Sequence, residues 1–210
     1  VVRELKLDLD KLIYASSSMV YGDFLRDENG NIISAKEDQQ CLPVGIYGSM
    51  KLAGEHIIRA YSRRFSIPHT IIRPSAVYGP TDCNRRVSEI FIKNAIDGKE
   101  LILDNGGLHQ LDFSYVEDVA KGFVLAANSP NAVNETFNIT RGEGRTIKEC
   151  AQIIKNLIPE TTIVTKEVNV YRPNRGSLDI SKARRLLNFN PEHSLEDGMA
   201  KYLEFLRNSN

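Results

Sequence analysis

A long amphipathic helical pattern between two short strand patterns restricts the fold more than any other feature of the sequence. From Gly45 to Phe65, apolar residues recur at three- and four-residue steps, which predicts a helix of about five turns. The preceding run, Lys11 to Ser17, is apolar without polar alternation, as is typical of a parallel strand covered on both faces. The next strand is predicted over His69 to Arg73, before Pro74. This order implies a right-handed crossover in a parallel sheet.

The rest of the chain continues the alternation of helices and strands that characterises doubly wound α/β proteins. The Gly142 to Arg145 turn is interpreted as a loop that enters a helix, since it lacks the flanking features of a phosphate loop. Further helices are predicted over Val87 to Asp97 and Glu117 to Asn128, from a capping box at Thr146 and Glu149, and from near Ser181 and Ser194; further strands are predicted over Leu101 to Leu103, Thr136 to Ile139 and Thr162 to Val168.

Charge and cysteine content narrow the classes of partner. The 27 basic and 27 acidic side chains cancel, so no charge field indicates a nucleic acid or a membrane surface. Cys41, Cys83 and Cys150 are far apart and odd in number, which favours a reducing, cytoplasmic compartment. No apolar run approaches the ~18 residues of a membrane span, so a soluble protein is expected. The four histidines are scattered, and no metal is expected.

Tyr47 and Lys51 form the first candidate chemical pair. They lie four residues apart on the predicted helix, so their side chains share one face. A phenol is a poor base at neutral pH, but an adjacent ammonium favours the phenolate. This spacing is common by chance, and a half-buried tyrosine beside a solvated lysine is the alternative interpretation.

Three serines, Ser16, Ser17 and Ser18, follow the first predicted strand. Ligands of open α/β sheets bind at the carboxyl ends of the strands, so a hydroxyl there could reach the same substrate oxygen as Tyr47. The alternative is a serine-rich turn that satisfies its own backbone.

The chain also contains, in this order, the segments ASSSMVYGD, YGSMKLAGE, IIRPSAVYGP and LDFSYVEDVAKG. They resemble the signature blocks of the extended short-chain dehydrogenase/reductase family, in particular its NAD-dependent epimerase/dehydratase members. The resemblance runs from Lys11 to Phe205. It implies a partial Rossmann-like doubly wound parallel sheet with a smaller mixed α/β substrate-binding C-terminal domain. Residues 1–80 and 113–140 would form the NAD-binding part, and 81–112 and 141–210 the part that binds a nucleotide sugar.

The resemblance further implies a catalytic triad. Tyr47 would be the general base and acid, Lys51 would hold the nicotinamide ribose and favour the phenolate, and Ser17 would hydrogen-bond the reacting sugar oxygen. The hydride chemistry belongs to the cofactor, NAD. Additional contacts implied by the family pattern are Pro74, Ser75 and Val77 for the cofactor, and Ser18, Ala76 and Arg172 for the substrate.

Two departures from the family pattern shape the expectation. The GxxGxxG fingerprint is absent from the sequence, so we expect either that the chain lacks a leading part of a longer protein and is inactive alone, or that it is a remnant without cofactor binding. Family 4,6-dehydratases carry an acidic pair after the Ser/Thr, whereas Ser18 and Met19 stand here, which disfavours elimination.

Diphosphate recognition also departs from the pattern. Ala76 replaces a frequent family asparagine, and Leu111 replaces the arginine of the usual RDF segment. The remaining candidates for this contact are Arg172, Arg175, Arg85 and Arg86.

The leading prediction is NAD-dependent epimerisation of a nucleotide sugar, at C4, through a transient keto intermediate. Alternatives are an NAD(P)-dependent reductase, decarboxylase or dehydratase of the same family, or a non-catalytic fragment or pseudoenzyme. Family members commonly dimerise through the helix that carries the tyrosine, and the outward apolar residues Ile58 and Tyr61 fit a homodimer, although core burial is the alternative.

Overall fold

The computed structural model describes residues 9–82, 84–169 and 173–208. Within these ranges the strands are β1 (Leu12–Ala15), β2 (His69–Arg73), β3 (Val77–Tyr78), β4 (Leu101–Asp104), β5 (Gln110–Asp112), β6 (Ser114–Tyr115), β7 (Glu135–Asn138), β8 (Gly144–Thr146) and β9 (Ile163–Lys166). The helices are α1 (Ile46–Phe65), α2 (Val87–Ile96), α3 (Val116–Asn128), α4 (Ile147–Leu157), α5 (Ser181–Leu187) and α6 (Leu195–Asn208).

The central sheet is parallel, in the order β1-β2-β7. Ala15 pairs with Ile72, and Arg73 pairs with Asn138, so the carboxyl ends of the three strands lie side by side. Helix α1 connects β1 to β2, and α3 lies between β2 and β7 in the chain. The predicted α/β class and parallel strand pairing are therefore confirmed.

Three two-stranded sheets complete the fold. Strands β3 and β6 pair in parallel, as do β4 and β9. Strands β5 and β8 pair antiparallel, with Leu111 opposite Arg145. The interpretation of Gly142 to Arg145 as a simple helix-entry loop was incomplete, because Gly144–Thr146 pairs with β5 before α4 begins. The predicted capping box of α4 is present, with Thr146 Oγ1 accepting from Glu149 N.

Buried apolar side chains form three clusters. The largest packs α2, α4 and α6 around β4 and the β3–β6 pair, with Ile92, Leu101 and Met199 at its centre. The second joins the central sheet to α3 and α5 through Phe137 and Phe189. The third lies beneath the turn that follows β1. In the part of the chain described, no helix is long and apolar enough to cross a membrane.

Helix α1 turns most of its apolar stripe away from the core. Its apolar stripe, which includes Ile46, Met50, Ile57 and Tyr61, is exposed. The face turned toward the sheet instead buries Gly48 and Glu55. Ideal Cβ geometry at Gly48 places that atom 2.5 Å from the carbonyl oxygen of Met19, so only glycine permits this approach of helix and turn. The amphipathic pattern predicted the helix and left open whether its apolar stripe faces outward or the core; the structure turns Tyr61 outward.

Candidate active site

The carboxyl ends of β1 and β2 are joined beyond the strands themselves. Ser16 N donates to Ile72 O at 2.7 Å, and Ser18 N donates to Pro74 O at 2.9 Å. The chain after β1 then turns through a short 3-10 helix, Ser18–Tyr21. The two segments that the sequence marked as candidates therefore meet at one edge of the sheet, where open α/β folds bind ligands.

Ser17 caps this turn. Its Oγ accepts a hydrogen bond from Met19 N at 3.1 Å, which orients the side chain. That contact uses a lone pair of the hydroxyl, so the O–H remains a donor for a substrate oxygen. The predicted self-satisfied serine turn and the predicted substrate contact are thus compatible in the same residue.

Tyr47 and Lys51 lie on the first turns of α1, facing the end of β1. Lys51 Nζ donates to Ala15 O at 2.8 Å. The same nitrogen lies 5.6 Å from the centroid of the Tyr47 ring and 5.5 Å from that of Tyr14, within the range of cation–π attraction. Tyr47 is 55% exposed. The ammonium is held by the strand end and placed beside the phenol, as the spacing of the pair predicted.

A cavity of about 450 Å³ opens at this edge. Ser17 and Tyr47 both line it, and so do Pro74, Ala76 and Val77 from the turn after β2. Ala76 has a φ of 36°, an uncommon value for a residue with a Cβ, and its carbonyl accepts from Ser114 N at 3.3 Å. Functional sites are where such strained backbone concentrates.

The other predicted site residues have different positions. Ser18 lines the cavity, whereas the side chain of Ser75 is buried and lies 3.3 Å, at Oγ, from Arg175 Nη2. Lys51 stands beside Tyr47 rather than in the cavity wall. Arg172 lies outside the described residues. Of the other arginines considered for the diphosphate, Arg86 and Arg175 line the cavity.

A buried ionic network beneath the site was missed in the sequence. Glu55 on α1 accepts from Ser16 Oγ at 2.5 Å and from Arg73 Nε and Nη2 at 2.9 and 2.7 Å. Burial raises the pKa of the Glu55 carboxyl, but Arg73 and Ser16 outweigh burial and hold that pKa below its usual value. The network ties the helix that carries Tyr47 to the ends of β1 and β2. Its only local signal was an acidic residue four positions after Lys51.

A second buried carboxyl group, Asp112 at the end of β5, connects three further segments of the chain by hydrogen bonds. It accepts from Thr140 Oγ1 at 2.9 Å, from Leu178 N at 2.9 Å and from Gly142 N at 3.1 Å. Burial raises the pKa of Asp112 to about 6 despite these donors. Asp112 therefore holds the segment after β9 against the segments around β7 and β8.

The residues around Lys51 fit the nicotinamide ribose that the family pattern implies. An ammonium has three donors, and Ala15 O accepts from Lys51 at 2.8 Å. The remaining N–H groups can serve ribose hydroxyls beside Tyr47. These contacts concern only one end of a dinucleotide, since the sequence contains no glycine-rich GxxGxxG segment.

Comparison with known proteins finds relatives that extend over nearly the whole chain. A Bacillus subtilis protein described as an uncharacterized UDP-glucose epimerase is 29% identical over 94% of this chain, and the chain spans 61% of it. The dTDP-glucose 4,6-dehydratase of Shigella flexneri is 26% identical over 94% of the chain, which spans 58% of that protein. The chain is thus shorter than the curated relatives that it matches.

Solved structures show the same relationship. The UDP-glucuronic acid 4-epimerase of Bacillus cereus, in complex with UDP-glucuronic acid and NAD, superposes with a TM-score of 0.88 at 30% identity, over 97% of this chain and 63% of that one. The UDP-glucose 4-epimerase of Thermotoga maritima, with UDP-glucose, has a TM-score of 0.88 at 26% identity, over 99% and 66%. Residues 1–140 match the family described as the NAD dependent epimerase/dehydratase family. With strand ends, serine turn and tyrosine helix arranged as above, the chain belongs to this family.

Proposed function

We propose that the protein containing this chain is an NAD-dependent enzyme that epimerises a nucleotide sugar at C4. The observation that carries the proposal is that Ser17 and Tyr47 line one cavity, while the Lys51 ammonium lies 5.6 Å from the Tyr47 ring centroid. An acid–base phenol, a hydroxyl donor and a cation are thus combined at one strand edge. The family membership supports NAD as the cofactor.

In the proposed mechanism, Ser17 donates its O–H to the C4 oxygen of the sugar and orients it. Tyr47 accepts the proton of that C4 hydroxyl, and the adjacent Lys51 charge stabilises the phenolate. NAD would supply the hydride chemistry at C4, and Lys51, which donates to Ala15 O beside Tyr47, would hold its nicotinamide ribose. The 4-keto sugar turns over in the cavity, and Tyr47 gives its proton back to the C4 oxygen. The proton and the hydride are each returned to the sugar, so no reduced cofactor accumulates.

The residues after Ser17 support epimerisation over dehydration. Elimination of a hydroxyl group requires a proton donor next to the leaving oxygen. Ser18 and Met19 occupy the cavity wall at that point, and a neutral alcohol and a thioether are poor acids.

The test is incubation of the purified protein with UDP-glucose or UDP-glucuronic acid and NAD, followed by proton NMR of the sugar. The expected result is formation of the C4 epimer, with no net rise in absorbance at the wavelength of NADH. Stoichiometric NADH, released carbon dioxide or a 4-keto-6-deoxy product would instead assign a dehydrogenase, decarboxylase or dehydratase activity.

Diphosphate binding, assembly and compartment are parts of the same proposal. Arg86 in the cavity wall is the described candidate for the diphosphate, because its planar guanidinium suits phosphate oxygens.

The exposed apolar stripe of α1 supports a homodimer through this helix, which light scattering would test. Cys41 and Cys150 are free thiols, which supports a reducing, cytoplasmic compartment.

A further inference from the structure

Arg175 is a charged side chain buried in the wall of the cavity. It is 8% exposed, although arginine is almost never buried without a partner. Its guanidinium reaches across from the segment after β9 to the turn after β1, where Nη2 donates to Ser18 Oγ at 2.7 Å and to Ser75 Oγ at 3.3 Å. Two neutral hydroxyls therefore receive the main hydrogen bonds of a buried cation.

No described carboxylate forms a direct ion pair with Arg175. Across residues 9–82, 84–169 and 173–208, no carboxylate lies within 4.0 Å of the guanidinium, and Nε, although buried, has no acceptor. Nη1 lies against the Met19 thioether, which is a weak acceptor. Burial lowers the pKa of Arg175, and the negative charge of Asp112 acts in the opposite direction. The Asp112 carboxylate, however, already accepts hydrogen bonds from Thr140 Oγ1, Leu178 N and Gly142 N.

The other arginine of the cavity shows the contrast. Arg86 has Asp82 at 4.0 Å and donates to the carbonyl of Val77. An isolated buried cation is costly, so an arginine left unpaired at a cavity wall indicates that the anion comes with a ligand. Arg175 is such a buried arginine without a carboxylate partner in the described part of the chain, whereas Arg86 has Asp82 beside it.

The position of Arg175 indicates which part of a ligand it meets. It contacts Ser18 and Met19, the two residues directly after Ser17, so it lies at the reacting end of the sugar. In a pyranose, the C6 substituent is next to the C4 oxygen, whereas the diphosphate leaves from C1 across the ring. An anion at this end is therefore a C6 carboxylate.

We propose that Arg175, with Ser18, forms a carboxylate-binding subsite that selects nucleotide uronic acids over neutral nucleotide sugars. The inference rests on the proposed function, because it takes C4 as the reacting carbon. The carboxylate accepts from the guanidinium, and the Ser18 hydroxyl rotates to donate to it. The subsite sets specificity, and the chemical step still belongs to Ser17, Tyr47 and Lys51.

The test compares binding of UDP-glucuronic acid and UDP-glucose by isothermal titration to the NAD-loaded protein, for the wild type, Arg175→Met and Arg175→Lys. The unaltered protein is expected to prefer the uronic acid by at least about tenfold, the advantage of roughly one charge-assisted hydrogen bond. Arg175→Met removes that preference and leaves UDP-glucose affinity within about twofold, while Arg175→Lys retains part of it. Arg207→Met, an exposed arginine on α6, is the matched control and changes neither affinity.

Equal affinity of the wild type for both nucleotide sugars would overturn the carboxylate subsite while leaving the proposed function intact. Equal losses for both ligands in Arg175→Met would place Arg175 on the diphosphate and also overturn the subsite. If the wild type bound neither nucleotide sugar, both the proposed function and the subsite would fail. The wild-type comparison needs no variant, so poor folding of Arg175→Met does not remove the test.

Discussion

Replacing Glu55 by glutamine is the perturbation that most directly tests how the active-site helix is held. Glu55 is 1% exposed and its partner Arg73 is 3% exposed, and two hydrogen bonds of 2.9 and 2.7 Å join them. Glutamine keeps the size of the side chain but removes the negative charge, so the Arg73 guanidinium is left buried without a counter-ion. Helix α1 then loses the charged contact that connects it to the end of β2.

The expected cost follows from this geometry. Breaking a buried ion pair by removing one partner costs roughly 3–5 kcal/mol, mostly because the other charge stays buried. The pKa of Glu55 is held below its ordinary value, so the pair stabilises the fold above about pH 4.3 and that contribution is lost as pH falls further. The difference between Glu55→Gln and wild type is therefore expected at neutral pH and is smaller in acid.

Urea unfolding followed by circular dichroism measures this difference. Glu204→Gln, at an exposed position of α6, is the matched control and is expected to change stability by less than about 0.5 kcal/mol. The double variant Glu55→Gln/Arg73→Gln is expected to cost less than the sum of the two single changes, by about 2 kcal/mol. A loss below about 1 kcal/mol for Glu55→Gln, or strictly additive costs, would refute the view that this pair secures the helix.

Three further predictions concern the site and its supports. Burial raises the folded-state pKa of Asp112 to about 6, above the unfolded value near 3.9. The wild-type free energy of unfolding should therefore decrease as pH rises from about 4 to about 6, by at most about 3 kcal/mol. Asp112→Asn should lack this slope in urea titrations, and an identical slope would contradict the assignment. Tyr47→Phe should lower kcat by about a hundredfold or more while leaving the urea midpoint unchanged, since the residue is 55% exposed; retained activity would exclude it as the acid–base group. Gly48→Ala should cost about 1–3 kcal/mol, because its Cβ would lie 2.5 Å from Met19 O, and an unchanged stability would show that the turn yields freely.

Regular elements could be predicted well because their signals are local. The strand at His69–Arg73 and the helices beginning at Ser181 and next to Ser194 lie where short-range patterns indicated. Strand β8 was missed because three residues carry too little pattern to distinguish a strand from a loop. The orientation of α1 was also beyond the pattern, since periodicity defines a stripe but not which surface covers it.

The candidate site divides in the same way. Ser17, Tyr47 and Lys51 could be named because each lies in a short segment with its own spacing, and strand ends in parallel sheets converge on one edge. Glu55 could not be assigned a partner, because its ion pair with Arg73 depends on the depth at which α1 crosses the sheet.

The sequence by itself determined the six helices and the longer strands of the described residues, the placement of Tyr47 and Lys51 on one helix face, and the absence of an acidic pair after Ser17. These features depend on residues a few positions apart, and the regular repeat of the helix or strand backbone fixes how such residues lie relative to one another. Only the tertiary structure decided that Arg175 reaches Ser18 across 157 residues of chain and has no carboxylate partner within residues 9–82, 84–169 and 173–208. That contact depends on how separate segments pack around the cavity, and local preferences carry no information about such packing.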